Sequence, residues 1–280
     1  MSRRDHEKQS TLAPTYCISH FQGDPTALLA CIEDHPYTLY NKSSRSLGSE
    51  LDRKAVVIEN NGYNLSSYLQ FIVKNYSTLP ARTAFIKSDI FPRHVSEAFF
   101  KNAIQTEADF IAIADHSIWQ GIRWPASFAG NDNMLYEVNN SWYRFKHQRC
   151  YFATYNDFFR FFFRGNEASI PLYLRFAPGG NYLVSRERIL RHPRTFYQNL
   201  LDVISGSPLA CEAHYLERSL PIIWDSGLQS YRRERLNPAV LEHLAAQCKR
   251  KMVSDRRWRH QLHSLRLRLA CAIGHGINLG

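Results

Sequence analysis

Short apolar runs alternate with polar turns and with stretches of helical spacing along the first 115 positions. "TYCISHF" (15–21) predicts a strand, and "GDPTALLACIED" (23–34) a short helix opening at Pro25 with Asp24 placed to cap it. "PYTLYNKS" (36–43) predicts a second strand, and "KAVVIENNGYN" (54–64) a third followed by a loop rich in Asn and Gly. Leu65, Tyr68, Leu69, Ile72 and Val73 then recur at helical spacing, and "TAFIKSD" (83–89) forms the next strand, stopping at Asp89. "HVSEAFFKNAI" (94–104) reads as a helix and "DFIAIADHS" (109–117) as a strand. Such alternation favours an α/β fold with a largely parallel central sheet flanked by helices, its site in the loops at the carboxyl ends of the strands.

Beyond residue 118 the pattern changes. Residues 119–170 are aromatic and irregular, which suggests a substrate-side insertion or lid. "LRFAPGGNYLVS" (174–185) is two short strands around a Pro-Gly-Gly turn, and helix dominates from "SRERILRHPRTFYQNLLDVI" (185–204) through "CEAHYLERSLPIIW" (211–224). The expected organisation is a polar segment at 1–14, one α/β domain at 15–228 and a basic helical tail at 229–280. No internal repeat or low-complexity linker interrupts it.

Composition adds limits. With 44% apolar and 13% aromatic residues in 280 positions, the chain can bury enough surface to offset its ordering entropy. Six scattered cysteines without a C-x-x-C pair suit a reducing compartment. The first residues contain no apolar signal-peptide core and no 18-residue apolar run occurs, so a cytoplasmic protein is expected. Of the net charge of +10, most lies in residues 231–268, which hold eleven Arg or Lys against Glu234, Glu242 and Asp255. There Trp258, Leu262, Leu265 and Leu269 form one helical stripe flanked by arginines. Such a helix can lie on an anionic membrane surface, or it can pack back on the domain with its arginines in solvent. No nucleic-acid-binding module accompanies the charge, so no nucleic-acid partner is expected.

The segments "ISHFQGDPTALL", "YTLYNKS", "YLQFIVKNYSTLPARTAFIKSD", "FAPGGNYLVSRERILRHPRTFY" and "YLERSLPIIW" occur in an order that resembles an uncharacterised family, domain of unknown function 3431. Its members resemble GT-A glycosyltransferases. The resemblance spans residues 16–224 and implies a GT-A-like fold that moves a sugar from a nucleotide-sugar donor to a lipid-linked or core glycan. The setting it suggests is bacterial surface polysaccharide or lipopolysaccharide assembly, peripheral to the inner face of the membrane.

Candidate chemistry follows from residue types. Gly179 and Gly180 allow positive φ and close approach of a donor or acceptor before the strand 181–185; an ordinary turn is the alternative. Ser185 caps the following helix, and Arg186 or Arg188 could grip a diphosphate, although helix charges of this kind are commonly solvated. Glu217 shares a helix face with Leu216, Leu220 and Ile223, where a carboxyl would be raised and able to take a proton from an acceptor hydroxyl, as an inverting transferase requires. The resemblance places an acidic residue at this point too; a structural Glu217–Arg218 pair is the alternative. His20 and Asp24 occupy the first strand-to-helix loop, which in GT-A-like folds faces the nucleotide. A metal-dependent enzyme of this kind uses a D-x-D strand end to hold Mn2+ or Mg2+, and none occurs here. The nearest substitutes are Asp89 and the pair Asp115–His116, at strand ends where a lone Asp is often a cap. A non-catalytic carbohydrate-binding or assembly protein of the same fold is the competing reading.

Overall fold

The computed structural model describes residues 13–115, 127–140, 142–163, 170–228 and 234–255. Strand β1 (Thr15–His20) has five of its six residues buried, as expected where both faces of a sheet are covered. Its odd and even positions supply two cores. Tyr16 and Ile18, with Leu39, Ala84 and Ile86 of neighbouring strands, meet Leu28 and Ile32 of α1 (Thr26–Ile32). Cys17, with Tyr40 and Phe85, faces the opposite layer.

The remaining strands are β2 (Tyr37–Asn41), β3 (Val56–Val57), β4 (Arg82–Lys87), β5 (Phe110–Ala112) and β9 (Tyr182–Ser185), and they complete a six-stranded sheet in the order β3-β2-β1-β4-β9-β5. Pairing is parallel from β3 to β4, with Ile18 opposite Leu39 on one side and Ile86 on the other. β9 runs antiparallel between β4 and β5. The chain is therefore mixed α/β with a mostly parallel sheet between helices. α1 and α4 (Glu97–Gln105) cover one face. α3 (Tyr63–Asn75), α8 (Arg194–Ile204) and α9 (Cys211–Trp224) cover the other. Because β1 pairs with β2 on one side and β4 on the other, the order of the chain reverses there and opens a crevice at the carboxyl ends of β1 and β4.

Several local expectations change. Helix α1 starts at Thr26, with Pro25 at the cap position; Asp24 still accepts the Thr26 N–H at 2.9 Å. α2 (Ser49–Lys54) has no buried residue, so it left no apolar period to read. The third strand shrinks to two residues at a sheet edge, with Val57 75% exposed.

Among the described residues the aromatic stretch is regular, where irregular structure was expected. β6 (Ser127–Ala129), β7 (Leu135–Val138) and β8 (Tyr173–Phe176) make an antiparallel second sheet. Between β7 and β8 the described residues include the helices α5 (Tyr143–Lys146) and α6 (Tyr155–Phe162). Thr154 and Asp157 form a reciprocal capping box on α6, and Phe158, Phe159 and Phe162 sit in the main core. Phe162 follows Phe159 and Phe158 by three and four residues, about one helical turn, so the three share one buried face.

α7 (Arg186–Ile189) is capped by Ser185, as predicted. α10 (Pro238–Asp255) packs on the domain through Leu244 and Cys248. The stripe from Trp258 to Leu269 lies outside the described residues. Among the described residues no helix is long and apolar enough to cross a membrane.

Candidate functional site

The Pro-Gly-Gly turn joins the two sheets instead of closing a hairpin, since β8 belongs to the second sheet and β9 to the first. Gly180 donates its N–H to the Ala177 carbonyl at 2.9 Å, and Gly179 and Gly180 have φ of 85° and 66°. A Cβ on Gly179 would lie 2.7 Å from the His94 ring, so glycine is required by conformation and by space. The turn is clamped from both sides: Asn64 of α3 donates to the Gly179 carbonyl at 2.8 Å, and the Gly179 N–H donates to Glu217 of α9 at 2.8 Å.

This clamp forms one wall of a cavity of about 380 Å³. Along that wall Lys87, Arg93 and His94 come first, from the end of β4 and the loop after it. Gly179 and Glu217 follow, then His214, Trp142 and Tyr63. The order follows from contacts: Gly179 touches His94 and Glu217, Glu217 lies 3.9 Å from His214, and the His214 ring packs on Tyr63 and Trp142 at 5.1 and 5.6 Å. The cavity thus has a cationic end, a carboxylate in the middle and an aromatic end.

Glu217 is held by Arg218, whose Nη1 donates to Oε2 at 2.7 Å. Arg218 is itself 3% exposed, sandwiched between Tyr143 and Phe176 at 4.3 and 4.2 Å, and bonded to Glu137 of β7 at 3.1 Å through Nε. Burial pushes the Glu217 carboxyl above its ordinary range, opposed by Arg218 and the Gly179 N–H and reinforced by Glu137. The structure therefore forms both the expected Glu217–Arg218 pair and the expected raised carboxyl. Pro221 lies in the same helix and has no N–H to offer the Glu217 carbonyl. His214 is driven down to about 2 by burial and by the nearby Arg218 and His147, so its imidazole is neutral; its Nε2 is buried and has no hydrogen-bond partner among the described residues. Tyr63, the first residue of α3, adopts φ of 53°, and Lys42 ties this helix start, its ammonium donating to the Asn61 and Tyr63 carbonyls and to Ser66. That tie also fixes the start of α3, from which Asn64 reaches the glycine turn.

Other sequence candidates fall in two places. His20, Asp24 and Asp89 gather at the β1–β4 crevice. His20 Nδ1 is 2.9 Å from the Ser88 hydroxyl, and Gly23 would touch Asp89 through a Cβ. Burial lowers His20 against the pull of Asp89 and Asp24. Asp89 pairs with Lys87 at 3.3 Å and Arg93 at 3.4 Å, joining this group to the cationic end of the cavity. Arg186 and Arg188 lie away from the cavity wall. Arg186 donates to the Leu79 carbonyl at 3.2 Å, and Arg188 to the Trp224 carbonyl and Asp225, each at 3.0 Å. They tie α7 to its neighbours, where a diphosphate grip or solvated helix charges were expected.

Asp115 donates its N–H to the His94 carbonyl at 3.2 Å, and His116 lies outside the described residues. Among the described residues no three His, Cys, Asp or Glu side chains converge on a metal position. Sequence reasoning missed Lys87, Arg93, His94, His214 and Glu137. Lys87 carried a signal, since it ends the strand whose terminal Asp89 was singled out. Glu137 carried none, because only the second sheet brings β7 to α9.

The family described as a protein of unknown function, DUF3431, matches residues 29–239. No curated protein and no solved structure matches the chain.

Proposed function

The chain belongs to the DUF3431 family, and from that premise we propose that it is a glycosyltransferase that moves a sugar from a nucleotide-sugar donor to a glycan hydroxyl. The observation that carries this reading is Glu217: a carboxyl raised by burial, 17% exposed, on the wall of a cavity beside the carboxyl ends of parallel strands. In the reaction Glu217 takes the proton of the acceptor hydroxyl as its oxygen bonds to the anomeric carbon. The bond from that carbon to the diphosphate breaks, and the diphosphate leaves with the electron pair. The neutral His214 fills the wall next to Glu217, and Trp142 and Tyr63 offer the apolar face of a sugar a surface to pack on.

A non-catalytic carbohydrate-binding protein is the second reading, favoured by the engagement of both Glu217 oxygens, by Gly179 and Arg218. A thermal-shift screen against nucleotide sugars, with and without manganese, followed by assay of free sugar release, separates the two. A transferase is stabilised by one donor class and slowly hydrolyses it. Stabilisation by glycans alone, with no donor effect, overturns the transferase and leaves the binding protein.

A further inference from the structure

The cationic end of the cavity has a chemistry that its carboxylate does not explain. Lys87 and Arg93 each approach a different oxygen of Asp89, at 3.3 and 3.4 Å, so one carboxylate faces two cations and a positive charge is left over. Lys87 is 22% exposed and Arg93 67%, and both line the cavity. The neighbouring His94 is held down to about 4, first by burial and then by Lys87 and Arg93 against the opposing pull of Asp89. The backbone around Lys87 is fixed, because its N–H donates to Asn181 at 3.0 Å and Asn181 in turn accepts from Ile113 of the adjoining segment at 2.9 Å.

A divalent cation fits this end poorly. It needs several free oxygens, and the carboxylate at the strand end that would supply them already has both oxygens beside Lys87 and Arg93. To bind there, a metal ion would have to displace two cations and remain close to both. An anion meets the opposite situation: it gains the surplus charge and the donors that Asp89 shares only loosely.

We propose that Lys87 and Arg93 form a diphosphate subsite that neutralises the donor's leaving group by direct charge contact, in place of a divalent metal. This rests on the transferase reading and extends it by assigning the donor end of the cavity. The diphosphate lies at Lys87 and Arg93, the transferred sugar over the glycine turn, and the acceptor at the aromatic end with Glu217 between them.

The test is isothermal titration of the full chain with UDP, GDP and inorganic pyrophosphate in EDTA, repeated with manganese. The expected result is binding in EDTA that manganese changes less than threefold. The Arg93→Met variant should weaken it about tenfold and the Lys87→Met/Arg93→Met pair about a hundredfold, as loss of charge-assisted contacts implies. Arg93 is exposed enough for its variant to fold, so it stands alone if the pair does not. Binding of pyrophosphate but of neither nucleotide keeps the anion subsite and overturns the nucleotide-sugar reading. Binding that requires manganese overturns the subsite and keeps the transferase. Absence of binding to all three probes, or binding indifferent to both variants, overturns the subsite.

Discussion

Helix α9 carries two glutamates whose carboxyls are both raised by burial, Glu212 and Glu217, and their surroundings differ in kind. Glu212 is fully buried, and its Oε1 accepts the backbone N–H groups of Cys150, Tyr151 and Phe152 at 2.8, 2.6 and 3.0 Å. It fastens the segment after α5 to the first turn of α9. Glu217 accepts one backbone N–H, shares Arg218 with Glu137, and keeps an open side on the cavity. A raised carboxyl therefore reports burial in both cases; what separates a structural anchor from a candidate base is access to a ligand.

The largest expected difference is in turnover. Glu217→Gln keeps an oxygen for the Gly179 N–H but cannot take a proton, so sugar transfer should fall about 10²–10⁴-fold. Its melting temperature should move by no more than about 4 °C, the equivalent of about 1 kcal/mol. Glu212→Gln should leave turnover within a few-fold in the protein that remains folded. Equal losses of turnover in both variants, measured by donor hydrolysis per folded molecule, would break the contrast.

Next comes the guanidinium behind Glu217. Arg218→Met leaves Glu137 buried without its cation and should cost about 3–5 kcal/mol in urea unfolding. Adding Glu137→Gln should return much of that stability without restoring turnover. A cost under about 1 kcal/mol would mean that Arg218 is not what fixes the second sheet to α9.

A smaller effect is expected at the anchor. Glu212→Ala strands three backbone donors, of which only the Phe152 N–H lies in a fully buried pair, and one buried donor left without an acceptor costs about 1–3 kcal/mol. Hydrogen exchange at Tyr151 and Phe152 should accelerate more than exchange in β1. Uniform acceleration everywhere would show that Glu212 contributes to global stability only.

The same contrast explains what the sequence made legible. The strands β1, β2 and β4 were readable as short apolar runs, which are buried almost continuously, and the helix α3 because its apolar residues repeat at a helix period. The glycine turn and Glu217 were readable as residue types: two adjacent glycines, and one acid on an apolar helix face. Their meeting was not, since the hydrogen bond between Gly179 and Glu217 spans 38 residues. Arg186 and Arg188 were plausible grips for a diphosphate, yet the turn of α7 aims them at Leu79 and Asp225. Phe158, Phe159 and Phe162 looked like part of an irregular lid because their strong helical period is only eight residues long. Glu137 and Lys87 reach the cavity through sheet pairing, and strand order is not written in any local period.

The smallest expected effect is a slope with pH. An unfolded glutamate loses its proton near 4.5, whereas Glu212 and Glu217 hold theirs to a higher pH in the folded protein. Between those two values the folded state binds more protons than the unfolded chain, so stability falls as pH rises through the window and levels off above it. Each group contributes a slope of at most about 1.4 kcal/mol per pH unit. Glu217→Gln should remove one such contribution and Glu212→Gln the other, so urea midpoints taken from pH 4 upward should flatten in each variant. The two glutamates part company in activity. The acid limb of turnover should follow the Glu217 carboxyl, because only that group must be ionised to accept a proton, and Glu212→Gln should leave the limb where it is. A limb that moved with Glu212 instead would assign the working carboxyl to the anchor and reverse the roles given to the two ends of α9.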